Sequence, residues 1–324
     1  MKTRLFAALL LITTASGNFR GASRLAEFSK EAHAKVLVYF NNENDIRLLD
    51  RGKIISLELD THLWTPDSCC AHRATPSLSR DGSRVAFVHL ASTRPRREAV
   101  AVLDVTTKAQ KEVFAARAVW GISWSPDGRR LAVVADGEGD SGHNLFVIDL
   151  MSASAPQLTR GDLDLGGMTY AVSDYAPPSW DPGGRELALE LRRTGPGANN
   201  GSAGVIVVWD LESNVYHKLA DGVDPSWSPA GDSIAFFDGT RKKCFAIKSD
   251  GSHKELLFSA TRGWLGVGGG APLVFPLVWS PGGSRVIWHE WVDADLVTEI
   301  YQRDLKTRKV RHIGRSELQV VDWR

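Results

Sequence analysis

Cysteine is scarce. Cys69, Cys70 and Cys244 are all that 324 residues contain, so no disulfide framework holds this chain together, and at least one thiol stays unpaired within a monomer. An excess of either charge is missing as well: 39 Lys and Arg stand against 38 Asp and Glu, leaving no overall field to attract nucleic acid or an anionic membrane. Beyond the N-terminal segment no apolar run approaches the roughly 20 residues of a spanning helix. No Gly-x-Ser-x-Gly nucleophile elbow occurs. The glycine-rich run 263–270 lacks a following Lys-Ser or Lys-Thr, so it is no phosphate-binding loop.

What is present begins with an export signal over 1–17: Lys2 and Arg4, the apolar run 5–12, then Thr14-Ala15-Ser16-Gly17, small enough for a signal peptidase. No cysteine lies near that cut, which argues against a lipid anchor. The expected mature protein is a soluble monomer, periplasmic or secreted, with no transmembrane segment. Residues 18–34 read as a short lead-in, either one helix or a loose segment, and 35–324 as a single domain.

The domain is built on one repeat. In Ile122-Ser123-Trp124-Ser125-Pro126-Asp127-Gly128-Arg129-Arg130-Leu131-Ala132-Val133-Val134, two strands of bulky and β-branched residues flank a type I turn. Proline presets φ at the turn's second place and glycine fills its fourth. Five turns of this kind end at Gly82, Gly128, Gly184, Gly231 and Gly283, 46 to 56 residues apart. A later strand in most units ends in an acid (Asp104, Asp149, Asp210, Asp304), whose side chain is suited to bond amides of the following turn. Asp50 ends the matching strand of an incomplete first unit, and Ser249-Asp250-Gly251 departs from the pattern.

A period of this length with four strands per unit predicts an all-β propeller. Strands over 35–40, 45–49 and 53–59 lack the tryptophan strand in front of them, while Val320-Val321-Asp322-Trp323 is a tryptophan strand with nothing behind it. Pairing these orphans closes a ring of six four-stranded antiparallel blades and removes the exposed edges. Trp124, Trp180, Trp227, Trp279 and Trp323 then pack between blades.

The Trp-Ser-Pro-Asp-Gly turn, the strand Leu131-Ala132-Val133-Val134 and the strand Leu145-Phe146-Val147-Ile148-Asp149 resemble the TolB-type propeller repeat, over nearly the whole mature chain. The resemblance implies a six-bladed propeller of the kind found in periplasmic scaffold proteins, in non-catalytic domains of prolyl-oligopeptidase-like enzymes and in some lyases. The expected arrangement is a stand-alone propeller without the N-terminal α/β domain of TolB.

Strand connectivity puts the Ser-Pro-Asp-Gly turns on one face and the long irregular loops on the other, which makes the loop face the expected binding surface. Its candidates are His72 and Arg73 beside Cys69 and Cys70, then Asp162, Asp174 and Tyr175 in the lead-in loop 161–176, Asp224, and Trp264 as an interaction anchor. Two adjacent cysteines with one histidine lack the spacing of a zinc site. The stretch 136–143 misplaces the glycine of a calcium loop and lacks its distal glutamate. Neither a metal nor another cofactor is expected. Two functions stay open. The first is a binding propeller that recognises a protein or small ligand in the cell envelope without chemistry. The second is a lyase or hydrolase acting on an oligosaccharide or lactone, with His72 and Asp174 or Asp224 at the central mouth.

Overall fold

A computed structural model describes residues 25–32, 34–40, 45–57, 75–136, 142–174, 176–195, 204–260, 277–291, 298–316 and 318–324. Six antiparallel sheets follow one another around a ring. Blade one joins Leu318–Trp323 to Lys35–Phe40, Asp45–Asp50 and Lys53–Leu57. Val36 faces Trp323 and Tyr39 faces Gln319, so the two ends of the chain share this blade as expected.

Blades two, five and six each run four strands outward from the tryptophan-type strand, which we number the first. Blade three has three regular strands, Val119–Trp124, Arg130–Asp136 and His143–Asp149. Its fourth place is taken by 154–158, where the Leu158 amide bonds the Leu145 carbonyl at 2.8 Å and Asp149 N–H bonds Ser154 at 2.8 Å. Pro156, which has no N–H, interrupts a regular ladder there. In blade four the first strand is split. Thr169–Val172 and Ser179–Trp180 both pair with Glu186–Arg193, and six residues separate them against two on the partner strand, which makes a bulge in the ladder. Leu163–Asp164 extends this sheet as a hairpin, so part of the predicted loop 161–176 is ordered strand.

The turns form as their composition predicts. In each, the fourth residue donates to the first carbonyl, as from Gly128 to Ser125 at 2.9 Å, and Gly82, Gly128, Gly184, Gly231 and Gly283 all have φ between 66° and 74°. The strand-ending acids bond the next turn: Asp149 accepts from the amides of Met151 and Ser152, both at 2.8 Å, and Asp210 from Glu212 and Ser213, both at 2.9 Å.

The core lies between blades, as apolar clusters that each draw on two neighbouring sheets. Trp124, Trp180, Trp227, Trp279 and Trp323 are all buried in these joints, where each large side chain removed from water contributes roughly 1.5–3 kcal/mol. Basic residues staple neighbouring blades at the turn face. Arg84 donates to the Gly128 carbonyl at 2.8 Å and lies over Trp124, and Arg130 does the same to Gly184 at 2.6 Å over Trp180. Lys35 reaches Gly82 at 3.0 Å.

The lead-in contains a helix at 25–31. Its Leu25 and Phe28 are buried against Val278 and Ile287 of blade six and Val36 and Leu49 of blade one, with Phe28 edge-on to Trp323 at 5.1 Å. The helix therefore wedges the joint at which the ring closes.

Candidate functional site

The first strands line a central channel holding a cavity of about 410 Å³. The residue before each tryptophan position faces it: Ser77, Ser123, Ser179, Ser226, Val278 and Asp322. One turn position further out, Pro126, Pro182, Pro229 and Pro281 form a collar in which Arg80 takes the place of the fifth proline. Proline belongs there because it sits second in each turn. The lining of this cavity reaches the turn face, opposite the long loops.

Asp322 is the one carboxylate in this ring, and it is buried. Its Oδ2 accepts from the Leu78 amide at 3.0 Å and its Oδ1 from Trp323 N–H at 3.0 Å, while Arg324 lies 3.1 Å away. Burial pushes its carboxyl up, against the pull of Arg324 and of the amides and the Ser77 hydroxyl around it. Both oxygens are thus engaged, Oδ2 in holding blade one to blade two and Oδ1 within blade one. Ser179 Oγ accepts from Trp227 N–H at 2.9 Å and Ser226 Oγ donates to the Leu277 carbonyl at 3.2 Å, whereas Ser123 Oγ is buried with no partner among the described residues.

The loop face carries two charge clusters, placed on either side of the 173–178 bulge. In the first, Asp136 and His143 are the last cross-strand pair of a blade-three hairpin. Asp136 is buried and accepts from Trp120 Nε1 at 2.7 Å, from Arg117 Nη2 at 2.8 Å and from His143 Nδ1 at 3.0 Å. Burial raises its carboxyl, but the donors of His143, Trp120 and Arg117 outweigh that and hold it at about 2. The far ring nitrogen of His143, Nε2, lies 3.7 Å from Asp174 Oδ2.

In the second cluster, Glu190 accepts from Ser173 Oγ at 3.0 Å, from the Asp224 amide at 3.0 Å and from Arg192 at 2.9 Å. Asp224 itself, buried and at φ 55°, lies 3.3 Å from Arg241. Desolvation raises its carboxyl, partly countered by Arg241.

Of the residues singled out from sequence, Asp174 and Asp224 fall in these two clusters. Asp162 is exposed and accepts from Thr194 Oγ1 at 2.6 Å, tying the hairpin to the end of a blade-four strand. No contact joins the three carboxylates to one another among the described residues. His72, Arg73, Tyr175 and Trp264 lie outside the described residues, as do Cys69 and Cys70. Cys244 is a buried free thiol, and burial pushes its ionisation far up, which keeps it inert. Among the described residues no group of three His, Cys, Asp or Glu side chains is placed to hold a metal, and no helix is long and apolar enough to cross a membrane.

Sequence reasoning set Asp136 and His143 aside with the rejected calcium loop 136–143, and it missed Glu190 and Asp322. The first two had a usable signal. Once the apolar strands 130–134 and 145–149 are paired in register, residues 136 and 143 must face each other.

No protein-family profile matches the chain. The uncharacterized peptidase YuxL of Bacillus subtilis (strain 168) is 27% identical over 146 residues, covering 35% of this chain and only 20% of that protein. Among solved structures, TolB from Acinetobacter baumannii superposes with a TM-score of 0.60 at 15% identity, over 90% of this chain and 65% of that one. An oligogalacturonate lyase in complex with manganese gives 0.53 at 17% identity, over 87% and 73%. The chain is a six-bladed β-propeller with the TolB-type fold. At such identities the likeness is one of architecture, which many functions share.

Proposed function

We propose that the chain is an exported, monomeric binding propeller of the periplasm or the extracellular space, taking a protein segment or small ligand into its central channel without chemistry. In this reading 1–17 is removed on export, 18–34 leads in, and 35–324 is the binding body. The supporting observation is the channel wall. A preformed concavity lined by hydroxyls, tryptophan and proline offers shape and a few polar anchors, while its carboxylate, Asp322, has both oxygens committed to the fold. The loop face, with His72, Arg73, Asp162, Asp174, Tyr175, Asp224 and Trp264, is the second contact surface.

The test plugs the channel. Ser123→Phe with Ser226→Phe should abolish recovery of partners from an envelope extract, while Lys111→Ala, on the exposed outer strand of blade two, leaves it intact. Equal recovery by a plugged variant that melts like wild type overturns the channel reading. A lyase or hydrolase acting on an oligosaccharide or lactone is the second reading, favoured by one observation: Asp136 holds His143 as an acid–base pair would be held. Turnover of such substrates that disappears in His143→Gln would establish it.

A further inference from the structure

Asp136 is a carboxylate, so it only accepts, and the proton of the His143 contact must sit on Nδ1. A neutral ring then turns the lone pair of Nε2 toward the Asp174 carboxylate, 3.7 Å away. Two acceptors face each other with no proton between them. A protonated ring instead presents an N–H to Asp174, and the imidazolium lies between two carboxylates on different blades.

Asp174 belongs to the bulge that splits the first strand of blade four. The bulge is anchored at both ends. Ser173 N–H bonds the Glu190 carbonyl at 2.9 Å and its hydroxyl bonds the Glu190 carboxylate. At the other end Pro177 packs so closely on blade three that a Cβ on Gly121 would stand 3.0 Å from its Cα. Asp174 lies between those anchors, and Pro177 and Pro178 line the channel cavity.

From this geometry we infer that His143 is a proton-operated latch between blades three and four: protonated, it fastens the bulge at Asp174, and neutral, it lets go. The charged and polar groups around it are Asp136, with Arg117 and Trp120 on that carboxylate, Asp174 opposite, and Arg192, whose Nε lies 3.4 Å from Ser173 Oγ. Glu138 and Asp140 of the same hairpin lie outside the described residues. The latch is closed while both ring nitrogens carry protons and opens when Nε2 loses its own. An effect on channel contents would rest on the binding reading above, but the latch does not.

Hydrogen exchange of the full chain, corrected for intrinsic rates, tests it without any ligand. Protection of the Asp174 and Ala176 amides should rise about two- to fivefold from pH 8 to pH 5.5, the range of a part-exposed ion pair. The rise should vanish in His143→Gln and Asp174→Asn and persist in His217→Gln, which alters a histidine on the outer strand of blade four. A flat wild-type profile, or a rise retained by either latch variant, overturns the proposal. Should a latch variant misfold at pH 8 by circular dichroism, NMR of the unaltered protein decides: the Asp174 carboxyl carbon must titrate in step with the His143 ring. Independent titration also overturns it.

Discussion

Replacing Asp136 by Asn removes a buried carboxylate that three donors converge on and leaves the side-chain shape nearly unchanged. The carboxyl stands at about 2 in the folded protein, against about 3.9 in an unfolded chain. That gap corresponds to about 2 to 3 kcal/mol of stability at neutral pH. The sign follows from the direction of the shift. A depressed acid contributes fully above pH ~4, progressively less as pH falls, and nothing below pH ~2. For a chain of this length the loss amounts to about 3 to 5 °C in melting temperature at pH 7. Urea unfolding of wild type and Asp136→Asn at pH 7, 5, 4 and 3 isolates this group, because every other acid titrates in both proteins. The deficit of the variant should persist from pH 7 to 5 and shrink below pH 4. Equal stability at pH 7, or a deficit unchanged at pH 3, would refute the assignment of Asp136 as a charged hub.

Three further outcomes follow from the blade joints. Glu186 occupies the place that Arg84 and Arg130 hold in their blades, and burial together with Asp181 and Asp210 raises its carboxyl; Glu186→Arg should therefore raise the melting temperature by about 1 to 2 °C, from roughly 1 kcal/mol, read by calorimetry. Gly121→Ala forces a Cβ against the Pro177 backbone at 3.0 Å and should destabilise by about 1 to 3 kcal/mol, read by urea unfolding. Removing 320–324 strips most of the first strand of blade one, and sedimentation of the lysate should find the truncated chain in the insoluble fraction.

The ring was legible because its determinants are local and repeated. Turn proline and glycine, the acid that ends a strand and the tryptophan before the turn each act within a few residues, so five copies reinforce one reading. The charge clusters were not legible, because they depend on which blades lie side by side and how far a strand extends. Asp224 drew notice as a candidate at the central mouth, yet Glu190, which accepts from its amide, comes from blade four, while Arg241 comes from a turn of Asp224's own blade. The loop 161–176 looked irregular from its glycines, but Tyr170 pairs with both Leu163 and Arg193. Strand pairing overrode composition there.

The same limit explains why the closing blade needed devices the repeat does not announce. In three of the joints an indole N–H bonds the carbonyl of the preceding blade, from Trp124 to Ser77 at 3.0 Å, from Trp180 to Ser123 at 3.3 Å and from Trp279 to Ser226 at 3.3 Å, whereas Trp227 Nε1 has no partner among the described residues. Blade two has Leu78 at that position and no indole to offer. Asp322 compensates by turning its carboxylate onto the Leu78 amide, which is why one acid interrupts a ring of serines. On the other side of blade one, Trp323 Nε1 finds no partner among the described residues, and the 25–31 helix packs Phe28 against that indole instead. Blade one is assembled from the two ends of the chain, so its pairing bears a loop-closure cost that the sequence-local blades avoid. An extra carboxylate on one joint and an extra helix on the other are what offset it.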